Sequence, residues 1–223
     1  MGDRVLAAVN PTVGYGGMDT IPWQLHTMLD PFVALGVAAS VTERALLGTS
    51  TLIAPWYSPL LLARSLTGVD VVSGGRLIPG LGTGWSPEEY QGVGVPWKER
   101  GARLDECLDV LEAVWTTEPV ARYDGRHYAF PAAHIGLKPV QRPRPPVYLS
   151  GFAPASQRRA ARRAHPGIRP RRPQQPPDRP SRTGLAHRSP AVKAWHHARA
   201  VTDRATDPRA RAAGLGFDIP EGP

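Results

Sequence analysis

At 223 residues and 41% hydrophobic side chains, the chain can bury one large core or two small ones. Its single cysteine excludes an internal disulfide and any multi-cysteine metal site, and with no charged-then-apolar leader and no apolar run near the ~18 residues of a membrane span, a soluble cytoplasmic protein is expected. The net charge of +8 is uneven: residues 1–164 carry 16 Lys+Arg against 14 Asp+Glu, whereas residues 165–223 carry 11 against 5.

In chain order, Asp30-Pro31 reads as an N-cap followed by proline at the first helical position, with Phe32, Leu35, Val37 and Ala38 supplying apolar faces up to Ser40. Residues 45–50, A-L-L-G-T-S, form a compact buried strand. Ser58-Pro59 opens a second helix with Leu61, Leu62, Leu66 and Val69 inward. Ser73-Gly74-Gly75 turns the chain into a strand over 77–81, and 98–115 has Leu104, Leu108, Leu111 and Trp115 at helical spacing. Cys107 lies on that apolar face and is expected in the core. Asp124-Gly125 between two short β-prone runs, 120–123 and 127–130, marks a hairpin. Residues 146–151 form the next strand. A short helix then starts at Pro154, with Arg158, Arg159, Arg162 and Arg163 facing water. Strands separated by helices imply parallel pairing, in an open doubly wound sheet or a (β/α) barrel.

The most informative stretch is R-L-I-P-G-L-G-T-G-W-S-P-E-E-Y at 76–90. Gly80, Gly82 and Gly84 at the carboxyl end of a buried strand let backbone approach a flat ligand closely. A polar loop with Glu88 and Glu89 follows. A dinucleotide fingerprint does not fit: it requires glycine where Trp85 or Pro87 stands. His26, His127 and His134 lack metal-ligand spacing. Trp56 and Tyr57 either line a pocket or cover the rim.

Taken in order, G-D-R, D-P-F-V-A-L, T-E-R-A-L-L-G-T-S, S-P-L-L-L-A, S-G-G-R-L-I, G-L-G-T-G-W-S-P-E-E-Y, G-V-P-W-K-E-R-G-A-R-L-D-E, L-K-P-V-Q-R-P and P-P-V-Y-L-S-G resemble the luciferase-like monooxygenase superfamily. The branch using the deazaflavin coenzyme F420 is the nearest match. The resemblance covers residues 2–164 and implies an α/β fold, a bacterial-luciferase-like TIM-type barrel, partial in this chain, with the hairpin as an insertion. It implies hydride transfer between F420 and a small organic substrate. The alternatives are an FMN-dependent monooxygenase served by a partner flavin reductase, and an inactive fragment of either. It also implies a homodimer. Asp3 matches the acidic residue beside the cofactor ring, and Ser50-Thr51 a pair joined by a non-prolyl cis peptide behind it. Thr83 and Gly84 match ring-contacting positions, and Gly151, Phe152 and Ala153 the loop that holds the cofactor phosphate. Where some relatives carry a proton-donating glutamate this chain has Trp85. Glu88 or Glu89 is then the substitute, and Glu88 is taken as the catalytic partner of Asp3.

The departures from the pattern concern the ends and Pro79. The chain starts where the second barrel strand should end, so strand one and strands six to eight are expected to be missing. After Ala164 comes proline- and arginine-rich text of the kind GC-rich DNA yields out of frame. Residues 165–223 are therefore expected to be a disordered, non-homologous tail. A tail this basic suggests nucleic acid as a partner, but it lacks interleaved aromatics for base stacking. Pro79 stands where a strand residue should donate to a ladder.

Overall fold

The computed structural model describes residues 2–151, 154–162 and 168–170. Residues 2–30 form an irregular segment with two short 3-10 turns, Tyr15–Gly17 and Trp23–Leu25. Helix α1, Pro31–Val41, starts where the cap signal puts it: Asp30 Oδ1 accepts from the backbone N–H groups of Phe32 and Val33, each at 2.9 Å. Strands β1 (Leu47–Gly48) and β2 (Leu52–Ile53) follow, then α2 (Pro59–Val72), β3 (Leu77–Ile78) and β4 (Gly80–Gly82). Helix α3 spans Pro87–Gly92 and α4 spans Arg100–Thr116. A β5–β6 hairpin (Ala121–Asp124, Ala129–Ala133), β7 (Val147–Leu149), α5 (Pro154–Arg162) and β8 (Ile168–Pro170) complete the order.

The strands outside the hairpin are parallel and follow chain order: β1 pairs with β3, β2 with β4, β4 with β7 and β7 with β8. Helices connect them, as in part of a (β/α) barrel. Their outer faces bury Leu47, Leu52, Leu77, Leu81, Val147 and Leu149 against α1, α2 and α4, which contribute Leu35, Leu62, Leu66, Leu104, Leu108 and Leu111. Cys107 is fully buried there. Trp115 Nε1 donates to Thr67 Oγ1 at 3.0 Å, joining α4 to α2.

Three expectations are corrected. The strand at 45–50 begins later and is interrupted: Leu46 is 69% exposed, and pairing passes from Leu47↔Leu77 to Leu52↔Leu81. One extra residue therefore sits on the first strand, a bulge over 49–51. The stretch after Trp85 is helix α3 rather than a polar loop, because Ser86-Pro87-Glu88-Glu89 combines a capping serine with proline at N1 and glutamate at N3. The hairpin turn is longer than Asp124-Gly125: Gly125 N–H donates to Tyr128 O at 2.9 Å. The Glu106 carboxylate holds this turn by accepting from the N–H groups of Arg126, His127 and Tyr128. Strand β8 pairs with β7 in register Val147↔Ile168 to Leu149↔Pro170. The remaining expectations for 165–223 lie outside the described residues. In α5, Arg158 is exposed, but Arg159 pairs with Asp105 at 2.6 Å and donates to Gly101 O at 3.1 Å. The side chain of Arg162 and all of Arg163 lie outside the described residues.

At the amino-terminal ends of the strands two polar groups tie the chain down. The Arg76 guanidinium donates to the carbonyls of Ala39, Thr42, Ala45 and Ser73 and to Thr42 Oγ1, over 2.6–3.0 Å. The fully buried Asp70 carboxylate accepts from the N–H groups of Val140 and Gln141 and from Gln141 Nε2.

Candidate active site at the carboxyl ends of the strands

The bulge shapes the sheet where the glycines cluster. Thr49 Oγ1 accepts from Gly80 N–H and donates to Gly80 O, both at 2.8 Å, so a side chain supplies the rungs that the bulged backbone cannot. A Cβ on Gly80 would lie 2.2 Å from Thr49 O, so only glycine fits. Pro79 is accommodated at the gap between β3 and β4. It lacks a donor, yet its carbonyl still accepts from Tyr148 N–H at 2.8 Å. The Ser50–Thr51 peptide within the bulge is cis.

Just beyond, Gly82 leaves room for two hydroxyls. Thr51 Oγ1 and Ser150 Oγ lie 3.3 Å apart, and a Cβ on Gly82 would sit 2.3 Å from the second and 3.0 Å from the first. Gly84 adopts φ +63°, placing its bare α-carbon against Ile53. The strands thus end in a low wall of backbone and short side chains, among them Ser50, Thr51, Thr83 and Ser150. A hollow of about 370 Å³ opens in front of it, within the range of small-molecule pockets. Asp3, Ser50, Thr51, Thr83, Gly84 and Gly151 all line this hollow. Phe152 and Ala153 lie outside the described residues.

The 2–30 segment closes the opposite side with Tyr15, Leu25 and Met28. Asp3 is 8% exposed. Its carboxylate accepts from Ile53 N–H at 2.9 Å and from the Tyr57 hydroxyl at 3.0 Å. Burial pushes the Asp3 carboxyl above its ordinary value, against the opposing pull of these two hydrogen bonds. Burial and the adjacent Asp3 raise the Tyr57 hydroxyl in turn. Tyr57 therefore stays a donor and fixes the carboxylate.

Glu88 is not brought to the hollow. It points to the 2–30 segment, where Oε1 accepts from Thr12 N–H at 2.7 Å and Oε2 accepts from Ser86 Oγ at 2.9 Å. Hydrogen bonds from the Thr12 side chain and backbone hold its carboxyl down at about 2, with Ser86 assisting. Its neighbour, about 100° further round the helix, faces inward. Glu89 is 3% exposed and lines the hollow, paired with Arg4 at 3.1 Å and accepting from Val5 N–H at 3.1 Å. Burial raises the Glu89 carboxyl and lowers the Arg4 guanidinium, and each is partly offset by the other. The Arg4 guanidinium also stacks over Trp85, 4.5 Å from the ring centroid.

Sequence reasoning therefore missed Arg4 and Ser150, named Trp85 only as a departure from the pattern, and of the two glutamates it weighed took Glu88, the one turned away from the hollow. The S-P-E-E capping signature was the signal that would have separated the two glutamates by face. Arg4, next to Asp3 in G-D-R, gave no comparable signal. Of the two rim aromatics, Tyr57 holds Asp3, and Trp56 packs edge-on against Tyr90 with ring centroids 5.9 Å apart. No group of three or more His, Cys, Asp or Glu side chains able to hold a metal occurs among the described residues.

A family model described as luciferase-like monooxygenase matches residues 14–169. The FMNH2-dependent dimethylsulfone monooxygenase of Pseudomonas putida is 32% identical over 163 residues, covering 72% of this chain and 42% of the relative. The crystal structure of monooxygenase RslO1 from Streptomyces bottropensis matches with a TM-score of 0.57 and 32% identity, covering 62% of this chain and 42% of that one. The coenzyme F420 dependent tetrahydromethanopterin reductase of Methanopyrus kandleri shares the fold, with a TM-score of 0.53 and 22% identity, covering 59% of this chain and 42% of its own. The chain spans about half the length of the curated relatives it matches.

Proposed function

The chain belongs to the luciferase-like monooxygenase family, and from that membership we propose that its hollow seats the tricyclic ring of a flavin or deazaflavin for oxidation–reduction of a small organic substrate. The observation that carries the proposal is the low wall at the strand tips. Gly82 and Gly84 let the Thr51 and Ser150 hydroxyls and Ile53 pack directly against the strand ends, so that short side chains and backbone face the hollow. A flat ring can lie close against such a surface. When bound, the ring supplies the redox chemistry, and the protein supplies orientation, proton placement and exclusion of water.

Ser50 and Thr51 support the ring from behind, and Thr83-Gly84 border its edge. Asp3, held by Ile53 N–H and Tyr57, keeps a carboxyl group whose raised pKa suits it to hold a proton at that edge. Gly151 and the amino terminus of α5 take the cofactor phosphate. Glu88 has no part in this reading, because its two oxygens are engaged by Thr12 and Ser86 on the far side of α3.

Two cofactors meet the description. The G-L-G-T-G-W-S-P-E-E-Y run favours F420 and hydride transfer, whereas the 32% identity to an FMNH2-dependent monooxygenase favours FMN with a partner reductase. The test is fluorescence titration of the purified chain with each. Quenching of F420 at micromolar concentration with weaker FMN binding supports the first, and the reverse order the second. If neither dye binds at a hundred micromolar, the cofactor assignment for this chain is overturned.

A further inference from the structure

Arg4 carries one terminal nitrogen, with two N–H groups, that the described residues do not satisfy. Its side chain is 7% exposed. Nε and Nη2 donate to Leu6 O, Nη2 also pairs with Glu89, and one guanidinium face covers Trp85. Nη1 is buried and has no hydrogen-bond partner among the described residues. A guanidinium offers five N–H donors, and a buried charged donor left without an acceptor is among the costliest polar defects in a folded chain. Because Arg4 lines the hollow, the absent acceptor is best supplied by what enters there.

The electrostatics select among acceptors. Among the described residues, Asp3, Arg4 and Glu89 are the charged ones lining the hollow. Glu89 already neutralises Arg4 at 3.1 Å. An incoming carboxylate would meet a base already neutralised and be repelled by Glu89, whereas a neutral carbonyl oxygen takes the hydrogen bond without that repulsion. Tyr15, Trp85, Leu25 and Met28, which also line the hollow, suit an apolar or aromatic body behind the oxygen. We propose that Arg4 is a specificity-determining residue that receives, through Nη1, the neutral acceptor oxygen of an apolar ligand. Resting on the cofactor reading above, that oxygen belongs to the substrate or to a carbonyl of the ring.

The experiment uses the full chain and three probes of one shape, acetophenone, ethylbenzene and benzoate, with dissociation constants from ligand-observed NMR. Lumiflavin, a ring without phosphate, is titrated separately. A hydrogen bond to a charged donor predicts that acetophenone binds roughly tenfold more tightly than ethylbenzene, and that benzoate binds no better than acetophenone. Arg4→Met should bring acetophenone and ethylbenzene to parity. Since that variant leaves Glu89 uncompensated, the charge-balanced Arg4→Met/Glu89→Gln is measured beside it and should behave the same. Loss of lumiflavin affinity in the variants, at unchanged acetophenone preference, assigns the oxygen to the ring. The proposal is overturned by equal binding of acetophenone and ethylbenzene to the unaltered chain, unless lumiflavin binding depends on Arg4. Persistence of both the acetophenone preference and the lumiflavin affinity in both variants, or benzoate binding more tightly than acetophenone, overturns it as well. Failure of lumiflavin to bind the unaltered chain removes the cofactor assignment alone, because the acetophenone comparison still decides the role of Arg4.

Discussion

Gly80→Ala tests the idea that the bulge over 49–51 and the glycine opposite it are one construction. The new Cβ would lie 2.2 Å from Thr49 O and 3.3 Å from Thr49 C. These are backbone atoms and cannot rotate away, so the strands must separate by more than 1 Å to reach ordinary contact. Overpacking of this kind costs about 1–3 kcal/mol. Separation also stretches both 2.8 Å bonds between Thr49 Oγ1 and Gly80, each worth about 1 kcal/mol. The expected loss is therefore about 3–5 kcal/mol, a large part of the ~5–15 kcal/mol that holds a typical domain. Urea denaturation measures it as a shift in midpoint at constant slope. Thr49→Val keeps the shape and removes only the hydroxyl, and should cost about 1–3 kcal/mol. A Gly80→Ala protein within about 0.5 kcal/mol of the original would refute the steric argument. A neutral Thr49→Val would refute the view that this hydroxyl replaces ladder rungs.

Two further outcomes follow from the rim. Gly151 has φ +136°, and its Cβ would meet Ser156 Oγ at 2.4 Å, so Gly151→Ala should distort the turn into α5. Titration should show FMN affinity falling about tenfold or more, roughly 1.4 kcal/mol, while lumiflavin, which has no phosphate, changes little; equal losses would count against a phosphate site there. Glu88, held at about 2 against an ordinary 4.5, stabilises the fold fully above pH 4.5, and that contribution disappears as pH falls toward 2. Glu88→Gln should thus cost up to about 1 kcal/mol at pH 6, given its surface position, and nothing near pH 2, as read from urea midpoints across that range. A constant difference would contradict the Thr12 and Ser86 contacts. Asp3 and Glu89, raised by burial, act with the opposite sign: what they contribute is present at low pH and declines as pH rises through their folded values.

The helices were legible because their signals are local. Asp30-Pro31 and Ser58-Pro59 each place proline at the first helical position, and α1 and α2 begin there. The bulge was not legible, since A-L-L-G-T-S reads as one uninterrupted strand and only its partner, with Pro79 and Gly80, forces the extra residue. Convergence of Asp3, Ser50, Thr83 and Gly151 on one hollow came from the family resemblance; periodicity alone could not order the strands. The choice between Glu88 and Glu89 needed the phase of α3. Arg4 needed the three-dimensional neighbourhood, because its role depends on Trp85 and Glu89, more than 80 positions away in the chain.

Arg76 and Asp70 gather their partners from segments that are far apart in sequence, all at the end of the strands remote from the hollow. Nothing at that end touches a ligand in the proposed reading. Loops at the opposite mouth are therefore free to diverge among relatives and to retune what enters, because the path of the chain is anchored elsewhere. Random mutagenesis should accordingly tolerate replacement of Leu25 or Met28 far better than even Arg76→Lys, which forfeits the planar five-donor fork.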